Sequence, residues 1–285
     1  MKNIILKILI SFRDAIFPGR CLACDALYRK RSRSDSNPEL IPAIDTAWNE
    51  EKQLDRFTSL MHPYLCPDCI GDYTPVVSPL CTKCGMIFQE TIAEDHLCGD
   101  CIKKPGPFRM LRSAGIYNES LLSLIRAYKF KKKLQLAKPL SLILFMLFRH
   151  LYQNDDNQVP DLIIPVPLHK KRFRHRKFNQ VWLLIMGWRK TSAAFNSPLV
   201  SQIRNDILIK QKMTIPQTGL DRKKRRTNIK GAFLVKNPEI VTGKKVLLVD
   251  DVYTTGATVT ECTKVLLKAG ADSVDVLTLA RTQVI

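Results

Sequence analysis

Lys245 to Thr260 reads KVLLVDDVYTTGATVT, and this stretch decides the fold. Lys245 to Val249 is an aliphatic, β-branched run of the length of a buried parallel strand. Asp250 and Asp251 stand at its carboxyl end, and Thr254, Thr255, Gly256, Ala257 and Thr258, all small or hydroxyl-bearing, follow. An amphipathic helix is expected from about Thr258 to Lys268, with Gly270 ending it as a C′ residue. A strand end, a tight turn and a helix N-terminus form an anion site, because unpaired N–H groups and hydroxyls converge where the helix dipole is positive. The stretch therefore reads as a phosphate cradle. The simpler alternative is a βα unit whose Thr and Asp residues only cap the helix. Against it, adjacent carboxylates repel each other and normally need ribose hydroxyls, a divalent cation or nearby lysines as partners. Neither G-x-x-x-x-G-K-[ST] nor G-x-G-x-x-G occurs, which excludes those two phosphate motifs.

Upstream, Asp161 to Val166 (DLIIPV) reads as a second central strand, ended by Pro165 and Pro167. HKKRFRHRKFNQ follows, with six Lys or Arg residues among twelve positions. Such density exceeds what a solvated face needs, since the mutual repulsion falls only when an anion arrives. Asn179 and Gln180 then open a helix carrying Trp182, Leu183, Ile185, Met186 and Trp188. Leu111 to Tyr117 reads as a strand, Ser120 to Tyr128 and Ala137 to Tyr152 as helices, and Asp272 to Leu279 as a strand beside the opening one. Lys129, Lys131, Lys132 and Lys133 form a basic turn whose default role is solvation, and Cys262 reads as a buried thiol without chemistry. The fold class is α/β, a doubly wound parallel sheet, with ligand at the carboxyl ends of the strands finishing near Val166 and Val249.

Eight of the nine cysteines form four C-x-x-C pairs: Cys21 and Cys24, Cys66 and Cys69, Cys81 and Cys84, Cys98 and Cys101. A two-residue gap lets both thiolates of a turn reach one tetrahedral metal, so eight ligands imply two structural zinc ions. A disulfide framework needs an oxidising compartment, and no signal peptide is evident. Sequential pairing of the knuckles makes a double zinc ribbon, and spacing alone leaves an interleaved arrangement open. His62 and His96 lie near enough to substitute as ligands but read as surface histidines. Trp48, Leu54, Phe57, Leu60 and Met61 suggest a short helix between the first two knuckles.

Met1 to Phe17 carries apolar residues at helical spacing interrupted by Lys7, Arg13 and Asp14, an amphipathic helix too short in its apolar core to span a bilayer. No other stretch approaches a transmembrane span, so no stable membrane insertion and a cytoplasmic location are expected. The division expected is 1–18 for this helix, 19–106 for the cysteine-rich region and 107–285 for the α/β domain. At 285 residues the chain carries a formal charge of +19. Two zinc ions on eight thiolates still leave about +15, which calls for polyanionic company: phosphorylated substrates, nucleic acid or anionic lipid.

VLLVDDVYTTGATV resembles the signature by which type I phosphoribosyltransferases bind 5-phosphoribosyl-1-pyrophosphate (PRPP). Taken with PVPLHKKRFRHRKFNQ, then Gln217, Leu220, Arg225, Asn228 and GAF at Gly231 to Phe233, the chain is similar to the ComF family of competence-associated proteins. That family likewise sets cysteine knuckles ahead of a phosphoribosyltransferase domain. The resemblance implies that Asp250 and Asp251 hold the ribose hydroxyls and that Thr254 to Thr258 hold the 5′-phosphate. It further implies that Arg172, Arg174 and Arg176 receive the pyrophosphate and that Gln217, Arg225 and Asn228 belong to a hood over the substrate. Mg²⁺ would accompany PRPP, and the acceptor is unnamed. A role in natural transformation follows from the same resemblance, including the alternative of a non-catalytic protein binding single-stranded DNA or a competence helicase. One departure stands out: where the family has glycine before the Phe of R-G-F-N-Q, this chain has Lys177. Glycine there would permit positive φ or a close backbone approach.

Overall fold

The computed structural model describes residues 18–29, 48–88, 94–152, 159–195, 199–213 and 227–283. The expected N-terminal helix, the polar excursion after Cys24, and Gln217 and Arg225 lie outside them. The cysteine-rich part starts with a two-stranded hairpin, β1 (Gly19–Arg20) and β2 (Leu27–Tyr28), whose turn carries Cys21 and Cys24. Helices α1 (Glu50–Met61), α2 (Pro67–Gly71) and α3 (Gly99–Lys103) follow. Asn49 caps α1 by accepting from Lys52 N, and Phe57 and Met61 are its buried side, as their helical spacing requires.

Beyond it come β3 (Leu111–Ile116), α4 (Glu119–Phe130), α5 (Ala137–Tyr152), β4 (Leu162–Pro165), α6 (Lys170–Arg176), α7 (Gln180–Ile185) and α8 (Trp188–Ala194). The chain continues through β5 (Gln202–Ile203), β6 (Leu208–Lys210), β7 (Phe233–Val235), α9 (Pro238–Val241), β8 (Lys245–Tyr253), α10 (Ala257–Lys268) and β9 (Ser273–Arg281). Five strands form one sheet in the order β3-β9-β8-β4-β5, with every neighbouring pair parallel. Strands β6 and β7 make a separate antiparallel hairpin.

Alternation along the central strands sorts the core into two layers. Ile163, Leu247, Val249 and Leu277 pack with α4, α5, α7 and α8 on one face. Leu162, Ile164, Val246, Leu248 and Val276 pack with α10 on the other. From β4 the chain moves outward to β5, and from β8 it moves outward the opposite way to β9, so the β4–β8 gap is a topological switch point. Ligand crevices of open α/β sheets form at that place. The doubly wound parallel sheet expected from the sequence is the one found.

Four details depart from the sequence reading. Strand β8 does not stop at Val249 but runs through both aspartates to Tyr253, because β9 continues beside it and pairs Asp250 with Thr278 and Tyr253 with Arg281. The single helix expected after Asn179 is two, broken at Met186 and Gly187, since glycine weakens a helix interior. The basic segment after His169, which the family resemblance casts as a pyrophosphate loop, is a short helix over Lys170–Arg176. Finally, Leu134–Tyr152 has the length and mean hydropathy, 1.3, of a membrane-crossing helix. The fold uses it as a core helix: Leu140, Leu144, Phe145 and Leu147 are almost wholly buried against α7 and the sheet. Its last residue, Tyr152, donates at 2.7 Å to the buried Asp275, which also pairs with Arg109.

Candidate functional site

Strand geometry sends neighbouring side chains to opposite faces, and this separates the two carboxylates that the sequence places side by side. Asp251 points to the α4/α7 side, where it accepts from Gln180 Nε2 at 2.9 Å and pairs with Lys129 Nζ at 2.7 Å. Asp250 lies on the α10 side and accepts from the Asp251 backbone N–H at 2.8 Å. Both are buried. Burial, reinforced by the Asp251 charge, pushes the Asp250 acid up to about 8. The partner that the acidic pair demanded is thus a lysine, from the turn that read as solvated.

After Tyr253 the chain tightens into the turn that starts α10. Gly256 takes φ +71 at the helix cap, and a Cβ there would stand 2.8 Å from the Tyr253 ring, so only glycine fits on both counts. Thr282 braces the turn, donating its N–H to Tyr253 O at 2.9 Å and its hydroxyl to Thr254 O at 3.4 Å. Thr255 Oγ1 is buried with no hydrogen-bond partner among the described residues. An orphaned hydroxyl beside the first turn of a helix is a donor waiting for an acceptor.

Opposite the turn stands α6. His169 caps it by accepting from Lys171 N at 3.2 Å, and its basic last turn suits the negative end of the helix dipole. Arg172 and Arg176, four residues apart, share a face. Both line one open cleft of about 2330 Å³ with Asp250, Asp251, Thr254, Thr255, Ala257 and Thr258. Arg174 is exposed and Asn228 half-buried, and neither lines that cleft. Lys177 sits at φ +72, the left-handed conformation for which glycine is favoured. The loop geometry expected of glycine is therefore kept, with a lysine held in it. Asn179 accepts from Val181 N and Trp182 N to cap α7 and donates to Val166 O at 3.2 Å, tying α7 to the end of β4.

Several cleft residues are not singled out by the sequence as site residues, Lys210, Gln180 and Phe130 among them. Lys210, on β6, has its amine over the Phe233 ring and pushed down to about 8, by burial first and then by Arg172. Gln180 read only as a helix start, and Phe130 went unremarked. No periodicity marks any of them, because their contacts join distant parts of the chain.

The cysteines gather four and four: Cys21, Cys24, Cys66 and Cys69, then Cys81, Cys84, Cys98 and Cys101, with ligand atoms within 4.8 Å of one another in each group. The pairing is sequential rather than interleaved. Cys24 and Cys66 sulfurs lie 3.6 Å apart and Cys84 and Cys98 sulfurs 3.7 Å apart. A tetrahedron with Zn–S near ~2.3 Å has an S–S edge of about 3.8 Å, so both groups fit zinc and neither is a disulfide. Burial opposes ionising Cys21 and Cys81, but backbone N–H groups outweigh it and bring them down to about 7 and about 6. Cys84 N and Cys98 N point at Cys81 Sγ from 3.4 and 3.3 Å. Burial and neighbouring thiols push Cys69 and Cys101 up, a conflict that a dication resolves. His96 makes a ring contact with Phe88 and a bond to Glu94 O instead of joining the second group. That group stands at the rim of the cleft: Cys84, Cys98 and Cys101 line it, and the buried Arg281 donates to Cys84 O at 2.6 Å.

Comparison with known proteins agrees with both halves. Residues 168–283 match the phosphoribosyl transferase domain family and residues 60–102 the double zinc ribbon domain family. The chain is 34% identical over 225 residues to "DNA utilization protein YhgH" of Shigella flexneri, covering 79% of this chain and 93% of that one. It is 34% identical over 215 residues to "Competence protein F" of Haemophilus influenzae, covering 75% and 90%. With "Competence protein ComFC" of Bacillus subtilis it shares 27% over 228 residues, covering 76% and 84%. With a double zinc ribbon ahead of a phosphoribosyl transferase domain, and 34% identity along 90% or more of the first two of these relatives, the chain belongs to the ComF family of competence and DNA utilization proteins.

Proposed function

We propose that this protein binds PRPP with Mg²⁺ and transfers its phosphoribosyl group to an acceptor. The observation that carries the reading is the shared cleft in which the acidic pair, the Thr254 to Thr258 turn and the guanidinium groups of Arg172 and Arg176 face one another. Asp250 and Asp251 would take the ribose hydroxyls, and the turn, with its orphaned Thr255 hydroxyl, the 5′-phosphate. Arg172 and Arg176 would take the pyrophosphate, with Lys210 beside them. Arg174, facing solvent, is left out of this set. Transfer would form a bond from the acceptor to C1′ and break the bond from C1′ to the pyrophosphate oxygen. No protein nucleophile is needed, and the protein's share is orientation, electrostatic stabilisation and exclusion of water. Mg²⁺ would add charge neutralisation at the pyrophosphate. It would be held mainly by PRPP itself, because Asp251 already has Lys129 and Gln180 as partners. Calorimetric titration of the zinc-loaded protein with PRPP and Mg²⁺ is the test. Saturable heat that Asp250→Ala abolishes is expected, and no heat from the wild-type protein would overturn the reading.

A second reading rests on the names of the relatives and on the formal charge of +19. In it the protein handles single-stranded DNA, alone or with a helicase, and PRPP acts only as a signal. Strand affinity should then fall steeply with salt, and a flat response would argue against phosphate contacts. Both readings place the protein in the cytoplasm.

A further inference from the structure

Phe130 closes α4 with 67% of its surface exposed, yet it lines the cleft. Leaving a large aromatic ring open forfeits burial that would otherwise stabilise the fold. One face is backed: the Arg176 guanidinium carbon lies 5.2 Å from the ring centroid. That guanidinium donates to Gln180 Oε1, and Gln180 Nε2 donates to Asp251 at 2.9 Å. Lys129, the residue before Phe130, pairs with the same carboxylate. The ring is thus tied to Asp251 by two routes, one through its chain neighbour and one through the cation on its face.

Its surroundings select the occupant. Arg126, one helical turn earlier, and Lys132, just beyond, line the cleft with it, as do His175 and Arg176 from α6. Phe173 and Leu134 are exposed but lie outside the cleft lining; of the other aromatic residues that line it, Phe108 and Phe233 are buried and Tyr117 and Tyr253 half-buried, so among the described residues Phe130 is the exposed aromatic of the cleft, with Met213 the other exposed large apolar side chain there. An open π-face with cations around it is how proteins hold a planar base without reading its edge. Resting on the reading that Asp250 and Asp251 hold the ribose, we infer that Phe130 is the stacking platform for the acceptor, a planar heteroaromatic ring of the nucleobase class. A free base and a base carried by a single strand both offer such a ring, since the stacking chemistry is the same for both.

The test uses 2-aminopurine, whose fluorescence is quenched on stacking. The full-length zinc-loaded protein, with PRPP and Mg²⁺ present, is titrated against the free base and against a short thymidine oligonucleotide carrying one internal 2-aminopurine. Phe130→Leu and Phe130→Tyr are compared with the wild type, and the exposure of Phe130 makes both compatible with folding. The expected result is saturable quenching of at least one probe, weakened about tenfold or more by Phe130→Leu and kept within about twofold by Phe130→Tyr. Quenching of the free base alone, or of the strand alone, supports the platform and assigns its source. Equal affinity in wild type and Phe130→Leu, or no quenching of either probe, overturns it. A parallel PRPP titration of the wild type separates the two ideas. If that heat is absent the ribose reading falls, and if it is present while the probes fail the platform alone falls.

Discussion

Lys129 Nζ lies 2.7 Å from one oxygen of Asp251, and the other oxygen takes the Gln180 side-chain amide at 2.9 Å. Their side chains are only 17% and 6% exposed, so this pair is largely desolvated. Removing one partner of such a pair strands a charge, whereas removing both does not. Lys129→Met should therefore destabilise the protein by about 3 kcal/mol, and Asp251→Asn added to it should restore most of the loss. Urea denaturation of the single and double variants measures this, and additive losses would show that the two side chains do not interact.

Asp250 makes a prediction about pH. Its acid is pushed up to about 8 by burial and by Asp251, against ~3.9 in an unfolded chain. Between those values the folded protein keeps a proton that the unfolded chain has released. Stability contributed by this group therefore falls as pH rises from about 4 to about 8, and it is flat outside that window. Asp250→Asn removes the slope. The variant should match the wild type near pH 4 and exceed it at pH 8 by several kcal/mol, up to about 5 for a rise of about four pH units at ~1.4 kcal/mol each, while losing PRPP binding. Thermal melts across this range check it, and parallel curves for the two proteins would contradict it.

The sheet and the metal centres were legible because their signals are local. The aliphatic run before Asp250, the small turn around Gly256 and the C-x-x-C spacing each lie within a few residues of sequence. Even Lys177 was legible in reverse: the position asks for positive φ, and the structure gives it φ +72 despite its side chain. What escaped was whatever two distant elements build together. Lys129 reads as a solvated turn because nothing near it in sequence announces Asp251, and Phe130 lies beyond the helical stripe that ends at Tyr128, where no pattern marks it. The family resemblance groups Arg174 with Arg172 and Arg176. The helical spacing, once α6 replaced a presumed loop, turned it away from the cleft.

Arg281 links the second zinc centre to the Thr254 to Thr258 turn. It is 3% exposed, donates to Cys84 O at 2.6 Å, and its guanidinium carbon sits 5.7 Å from the centroid of Tyr253, the ring that underlies Gly256. Groups that fix a metal ligand's backbone typically change metal affinity 10–100-fold when removed. Arg281→Met should thus speed zinc transfer to a colorimetric chelator from Cys81, Cys84, Cys98 and Cys101 by roughly tenfold or more. The ion on Cys21, Cys24, Cys66 and Cys69 should leave at its former rate. Two-phase release kinetics resolve the sites, and equal acceleration of both phases would mean general unfolding.

Two buried threonine hydroxyls without partners among the described residues, those of Thr255 and Thr263, offer a matched pair. Thr255 lines the cleft in the turn before α10, while Thr263 lies inside α10, fully buried and outside the cleft lining. An unsatisfied buried hydroxyl costs stability, about 1–3 kcal/mol in mutational series. Replacing either threonine by the isosteric valine should therefore raise the melting temperature or leave it unchanged. Only Thr255→Val should affect ligand, because a hydrogen bond to a charged group is worth about 1.5–3 kcal/mol, or roughly 10- to 100-fold in PRPP affinity. Thr263→Val should bind as the wild type does. Melting curves and PRPP calorimetry on the two variants check both halves of the argument. If Thr255→Val kept full affinity, its hydroxyl would not be the donor that the phosphate turn requires, and the 5′-phosphate would have to rest on backbone N–H groups alone.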